Sequence, residues 1–243
     1  MKIASTGDCL PSGTTGSQPF GRYAPKFLRP GFDLLAPHYL WMERLLAGRA
    51  LQRCRTAFLP ETLNAKSALL LGEGNGRFLS EFLRVNETAA VTCVDSSAKM
   101  LELARRQVVR TGTNPDRLAF VRADLLDEEE TAWHRGPFDL IVTHFFLDCF
   151  RGDQLSLLLP RIADQASSKA NWLLADFHLP AQGFWRWRAR LILWIAYRFF
   201  RVVTRLPARA LPDPAPLLME IGFERRAQKL FQHHLLHSDL WEN

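Results

Sequence analysis

Between Ser67 and Phe177, short apolar runs alternate with stretches of helical period. SALLL runs into GEGNG, VTCVD ends on Asp95 and LAFVRAD ends on Asp124; FDLIVTHFF and NWLLADF follow. Runs of this length with little polar alternation are strands buried on both faces. Between them, RFLSEFLRV and SSAKMLELARRQVVRTG, the latter closed by Gly112, have the spacing of helices, as does the stretch Asp148 to Ser167. Five apolar strands separated by helices predict βαβ units, hence an α/β fold with a mostly parallel, Rossmann-like sheet covered on both faces. Farther on, Gly183 to Arg205 predicts one helix and Leu211 to Ile221 a second, with Pro212, Pro214 and Pro216 crowding its start. FERRAQKLF and LLHSDLW add two final strands, seven in all.

The first part of the chain follows other rules. Residues 1–30 are rich in Gly, Ser, Thr and Pro without a sustained period, which predicts a mobile arm. From Phe32 to Leu59 the pattern turns helical, with Leu40, Met42, Leu45, Leu46, Leu51 and Phe58 among arginines, so residues 31–66 are expected to form a helical cap. Residues 67–243 then make the main domain, with 183–221 as a helical segment before the last two strands.

Composition narrows the class without naming an activity. The chain has 243 residues, of which 47% are hydrophobic and 23% charged, values that argue against disorder, collagen and coiled coil. The four cysteines, Cys9, Cys54, Cys93 and Cys149, form no CxxC pair, which argues against a zinc module and a disulfide scaffold. Lys2 is followed at once by Ser5, Thr6, Gly7 and Asp8, so no signal peptide is expected, and nowhere do about 20 apolar residues run without a charge. A cytoplasmic location is the expectation, with peripheral membrane contact as its extension.

Charge is distributed unevenly. The formal net charge is +6, yet the stretch 181–212 alone holds seven arginines and no acid or lysine, leaving the remainder close to neutral. On a helical wheel Arg186, Arg190, Arg198, Arg201 and Arg205 share one face, within an arc of roughly 120°. Leu191, Ile192, Ile195, Phe199, Phe200, Val202 and Val203 fill the opposite arc. A helix laid on the sheet with a solvated basic face fits this pattern. So does a helix at an anionic membrane, with Trp185, Trp187 and Trp194 at the interface. Charge confined to one helix does not suit a nucleic-acid surface, and no nucleic acid is expected.

The candidate chemistry lies at three successive strand ends. Gly72, Gly74 and Gly76 follow the first strand and open a helix, where missing Cβ atoms let a ligand lie against the backbone. Asp95 ends the next strand nineteen residues after Gly76, at the spacing where a carboxylate accepts both hydroxyls of a ribose. An acid there also suits the cap of the helix that starts at Ser96 or Ser97. Asp124 ends the third strand beside Leu125 and Leu126, a polar edge with apolar neighbours that suits an adenine. A dinucleotide usually takes GxGxxG, whereas here the spacing is GxGxG.

These motifs, LLLGEGNGRF, VTCVDSSAKML and LAFVRADLLD with FDLIVTHFFLDCF and GFERR, resemble those of class I S-adenosylmethionine-dependent methyltransferases. The resemblance implies that Gly72, Gly74, Asn75 and Gly76 line the methionine part of S-adenosylmethionine. It further implies that Asp95 binds the ribose beside Ser96 and Met100, that Asp124 and Leu125 hold the adenine, and that Thr143 and His144 stand next to the methyl donor. Where the family carries an acid two residues before the first glycine, this chain has Leu70. Glu73 is expected to supply that carboxylate, unless it faces outward. In layout, including FDLLAPHY, the chain is similar to small-molecule methyltransferases of the ubiquinone and menaquinone pathway type, which would place Tyr39 near a lipophilic or aromatic acceptor. Methyl transfer chiefly needs alignment and sometimes a base. His144, then His178, are the candidate bases, and Asp148 is a candidate acceptor residue, though a histidine at a strand end also serves as a packing residue. His233, His234 and His237 read as strand and turn residues, and no metal is expected. Two other readings use the same sheet: an NAD(P)-dependent reductase, weakened by the missing TyrxxxLys pair, and a non-catalytic protein that docks on a membrane or partner through its basic helix.

Overall fold

The computed structural model describes residues 49–127, 129–204 and 211–243, with 199–204 described by their backbone alone. The arm over 1–30, most of the cap with Tyr39, Arg205 and the side chain of Arg201 lie outside that description. Seven strands, β1 (Ser67–Leu71), β2 (Ala90–Asp95), β3 (Leu118–Arg122), β4 (Phe138–His144), β5 (Ala166–Phe177), β6 (Glu224–Phe231) and β7 (Leu236–Glu242), form one sheet. Their order is β3-β2-β1-β4-β5-β7-β6. β1 to β5 are parallel, and β7 runs antiparallel to both β5 and β6.

Side-chain alternation divides the interior between the two faces. Leu69 and Leu71 of β1 join one core with Ile141, Trp172 and Leu174; Ala68 and Leu70 join the other with Cys93, Val142 and Leu173. The first core is covered by α4 (Gly152–Ala163) and α6 (Ala215–Glu220) through Leu155, Leu158, Leu159 and Leu218. The second is covered by α2 (Arg77–Val85) and α3 (Ala98–Val109). Phe78, Leu79, Phe82 and Leu83 of α2 all point into it. Each such side chain contributes roughly 1.5–3 kcal/mol on burial, against about 1 kcal/mol for an N-cap, so the apolar face decides that this segment is helical. α5 (Gly183–Thr204) lies over a third cluster built from α1 (Arg49–Arg55), the end of β5 and the β6–β7 hairpin.

Several expected boundaries shift. Asp148 to Ser167 is not one helix: Leu147–Cys149 is a 3-10 turn, Phe150 and Arg151 are extended, and α4 starts only at Gly152. Ala166 and Ser167 belong instead to β5, where Ala166 pairs with Phe138. The second late helix starts at Ala215 rather than Leu211, because residues preceding Pro212 and Pro214 are disfavoured in helical conformation. Within the expected cap, Arg49–Arg55 is helical and Leu59–Thr62 is a 3-10 turn. Leu51 and Cys54 pack into the third cluster, so this piece is continuous with the sheet domain.

The strand order reverses direction between β1 and β4, which parts the loops that follow them. Open α/β sheets bind ligands at such a point, outside the carboxyl ends of the strands. Gly76 caps the start of α2, the helix that follows β1. It has φ 80°, and a Cβ there would meet the Ala104 backbone at 2.9 Å, so its missing side chain lets α2 and α3 come together. Gly76→Ala is expected to lower stability by about 2 kcal/mol or more, since the left-handed conformation alone costs about 1–2 kcal/mol for other residues. Urea unfolding of both proteins measures the difference.

Candidate functional site

Four strand ends wall one cleft. Gly72 and Gly74 follow β1, Asp95 and Ser96 follow β2 with Met100 on α3, and Ala123 to Leu126 follow β3. Phe145, Phe146, Cys149 and Phe150 close it from the segment after β4. Counted to its open mouth, and with the solvent it opens onto, the cleft encloses about 820 Å³.

The glycines divide the work between them. Gly72 has φ 64°, and its amide donates to the Val94 carbonyl at 2.9 Å, which turns the chain across the end of β2. A Cβ on Gly72 would fall 2.2 Å from the Phe146 ring, whereas one on Gly74 would meet nothing within 4 Å. Phe146 therefore lies directly on bare backbone. It is carried there by Phe145, whose φ of 53° is a costly conformation for a bulky side chain. The Phe145 amide is fixed on the Ala175 carbonyl at 2.7 Å, and the buried Arg55 lays its guanidinium over the Phe145 ring, 4.8 Å from the centroid.

Two half-buried carboxylates face the same cleft. Asp95 Oδ1 accepts from the Ser97 amide at 2.8 Å, while the α3 cap itself is the Ser97 hydroxyl, which accepts from the Met100 amide at 3.1 Å. Asp124 Oδ1 accepts from the Leu126 amide at 3.1 Å. Each acid is thus oriented by an amide two residues on, with buried Met100, Ala123 and Leu125 beside it. A carboxylate flanked by apolar surface matches the hydroxyls of a ribose and the faces of an adenine. Of the expected cofactor residues, Gly72, Gly74, Asp95, Ser96, Met100, Asp124 and Leu125 line the cleft together.

Others do not. Glu73 does not line the cleft: its Oε1 accepts from the Phe78 and Leu79 amides at 2.8 and 2.9 Å, so the carboxylate caps α2, where a negative charge suits the helix N-terminus. Leu70 is buried in the core beneath α2. Asn75 stands outside the lining, and Gly76 serves helix packing. Thr143 is fully buried, its hydroxyl accepting from the Trp172 indole at 2.8 Å.

Neither histidine is part of the cleft lining. His144 points under α2, with its ring edge-on to Phe78 at 4.7 Å. Among the described residues neither ring nitrogen has a hydrogen-bond partner. Burial first, then the Arg55 charge, lowers its pKa to about 3, so the ring is neutral. His178 directly follows the carboxyl end of β5, and its Nδ1 donates to the His234 carbonyl at 2.8 Å. Asp148 lies in the 3-10 turn between Phe146 and Phe150, and its amide donates to Asp176 Oδ2 at 3.1 Å. Asp176, buried at the end of β5, also accepts from the Phe177 amide at 2.8 Å. Desolvation raises the pKa of both acids, to about 6 for Asp148, and the neighbouring charge of Asp148 raises Asp176 further. A half-buried carboxyl beside a buried one holds a proton that isolated ones would lose.

Sequence reasoning missed Phe145, Phe146, Phe150 and Asp176. FDLIVTHFF reads as one strand, yet the strand stops at His144. The acid inside NWLLADF was the available sign of a buried polar group.

His144 makes stability depend on pH in a defined direction. Between pH 6.5 and about 3 the unfolded chain binds a proton at this residue that the folded chain does not, so stability is lost as the pH is lowered through that window. By pH 5 the loss should reach about 2 kcal/mol, at 1.36 kcal/mol per unit. His144→Leu is expected to remove this component of the stability–pH curve while leaving ligand affinity in the cleft within about threefold. Urea unfolding at pH 5 and pH 7 and calorimetry together check this.

Comparison with known proteins agrees with this geometry. Residues 68–167 match the family model described as a methyltransferase domain. No curated protein sequence matches the chain. Among solved structures, the mitomycin 7-O-methyltransferase aligns with a TM-score of 0.64 at 16% identity, covering 87% of this chain and 60% of that one. This chain therefore spans about 60% of the length of that protein. A magnesium protoporphyrin IX methyltransferase from Synechocystis, solved with bound SAH, aligns with a TM-score of 0.60 at 15% identity over 86% of this chain and 95% of its own. A Burkholderia thailandensis 1,6-didemethyltoxoflavin-N1-methyltransferase with bound S-adenosylhomocysteine gives 0.58 at 17%, over 87% and 85%. These comparisons give no support to the reductase or to the non-catalytic reading. Around a cleft with the glycine turn and two oriented acids, residues 68–167 are similar to a methyltransferase domain, and the chain shares the fold of the methyltransferases it aligns with.

Proposed function

We propose that this protein transfers a methyl group from S-adenosylmethionine to a small acceptor of apolar or aromatic character. The observation that carries the reading is the convergence of Gly72, Gly74, Asp95 and Asp124 on one cleft at the point where the strand order reverses. Asp95 would hold the ribose hydroxyls, and Asp124 with Leu125 and Met100 would enclose the adenine. The bare backbone at Gly74 would admit the amino-acid end. When bound, the cofactor supplies an electrophilic sulfonium methyl.

The protein's contribution is chiefly alignment, which turns a collision between two molecules into a displacement inside one complex. Phe146 and Phe150, edge to face at 5.0 Å, with Phe145 beside them, offer the acceptor an apolar wall and exclude water from the methyl's path. The names of the similar enzymes, which act on mitomycin, toxoflavin and porphyrin compounds, support a small ring-bearing acceptor. If that acceptor must lose a proton, Asp148 is our assignment for the base in place of the two histidines. Its support is its position in the turn between Phe146 and Phe150 and the upward shift to about 6 caused by burial.

Isothermal calorimetry with S-adenosylhomocysteine tests the cofactor site. Asp95→Ala should weaken binding at least tenfold, about 1.4 kcal/mol; no binding by the parent protein would overturn the reading. A screen of small quinols, phenols and amines with radiolabelled cofactor then tests Asp148. For an acceptor that loses a proton, the rate should rise with pH through about 6, as the carboxyl ionises. In Asp148→Asn that rise should disappear and kcat should fall roughly 100-fold, while an unchanged pH profile would remove Asp148 from the base's role.

A further inference from the structure

We propose that α5 docks this protein on the surface of an anionic bilayer, an inference that does not depend on the methyl-transfer reading. The helix has two distinct sides. Ala189, Leu193 and Ala196 are buried over Ala175, Leu235 and Leu236, and the two alanines bring the helix close to what it covers. The other side carries Phe184, Trp187, Leu191, Trp194 and Ile195, with 67%, 65%, 43%, 62% and 52% of their surfaces exposed. Their spacing of three, four, three and one residues places them along one stripe. A helix on a water-soluble surface turns polar residues outward; here the outward side is aromatic and aliphatic. The expected arrangement, with Leu191 and Ile195 packed inward and a purely basic face outward, is corrected by these exposures.

Charge identifies the occupant. Arg190 and Arg198 are exposed among the apolar residues, and the stretch 181–212 carries seven arginines with no acid. A second copy of the chain, paired about a two-fold axis through this stripe, would bring the arginines of both helices together with no carboxylate from either stretch to offset them. A bilayer with acidic headgroups meets both requirements. Its phosphates attract the guanidinium groups, its interfacial layer takes Trp187 and Trp194, and arginines beside buried apolar groups can extend to the headgroups. No described helix is long and apolar enough to cross a membrane, so α5 would lie in the plane of the interface.

The test is flotation of the full chain with vesicles of phosphatidylcholine alone or mixed with phosphatidylglycerol. The parent protein should float with the mixed vesicles and stay behind with the neutral ones. Trp187→Ser/Leu191→Ser/Trp194→Ser and Arg190→Glu/Arg198→Glu should each float at least about tenfold less, because binding combines buried apolar area with charge attraction. Circular dichroism should be unchanged, since the replaced residues are exposed. The tryptophan emission of the parent protein, which needs no variant, should shift to the blue with the mixed vesicles only. Absence of flotation, equal flotation by parent and variants, or no emission shift would overturn the proposal. So would light scattering that finds a dimer broken by the serine variant in a parent protein that does not float.

Discussion

A methyl group at position 72 would lie 2.2 Å from a carbon of the Phe146 ring, and the shape of the cleft follows from its absence. Gly72 turns the chain across the end of β2, and the bare backbone receives an aromatic ring from the neighbouring strand end. That ring arrives only because Phe145 takes a left-handed conformation, which ends β4 abruptly and redirects the chain. The conformation is held from three directions: a hydrogen bond donated by the Phe145 amide to β5, the guanidinium of Arg55 on α1, and the Phe177 ring edge at 5.6 Å. Strain of this kind persists only where the surroundings over-determine it. The cleft is in this sense a property of contacts from α1, β4 and β5 as much as of the glycine turn.

What could be read from the amino-acid sequence divides along physical lines. The sheet, the glycine turn and the acids at positions 95 and 124 were legible because each depends on local facts: strand length, strand end and the residue standing there. Parallel strands then bring those ends to one edge. Glu73 was expected at the cofactor, whereas its carboxylate accepts from two amides at the start of α2, a local bond that a motif comparison does not register. His144 was misread for a different reason. Leu140 and Val142 face the core beneath α2, and a strand's alternation sends His144 the same way, so parity along β4 held the answer. Thr143, one residue earlier, goes by the same rule to Trp172 on the other face.

α5 shows a harder limit. A wheel drawn from hydrophobicity cannot rank two apolar faces, and this helix has apolar residues nearly all round. The deciding sign is size. Ala189 and Ala196 mark the line along which the helix lies against the domain, because small residues allow close approach, while the tryptophans at 187 and 194 stand elsewhere. Trp185 differs from both: it stacks on His233 with ring centroids 3.8 Å apart, so it belongs to the contact between α5 and the hairpin.

Tyr197 sits on that same helix and reaches the Asp148 carbonyl with its hydroxyl at 3.5 Å. Its ring packs against the third cluster, as do Phe145 and Phe177. The helix with the outward tryptophans therefore touches the segment that walls the cleft, through one hydroxyl placed at the turn between Phe146 and Phe150.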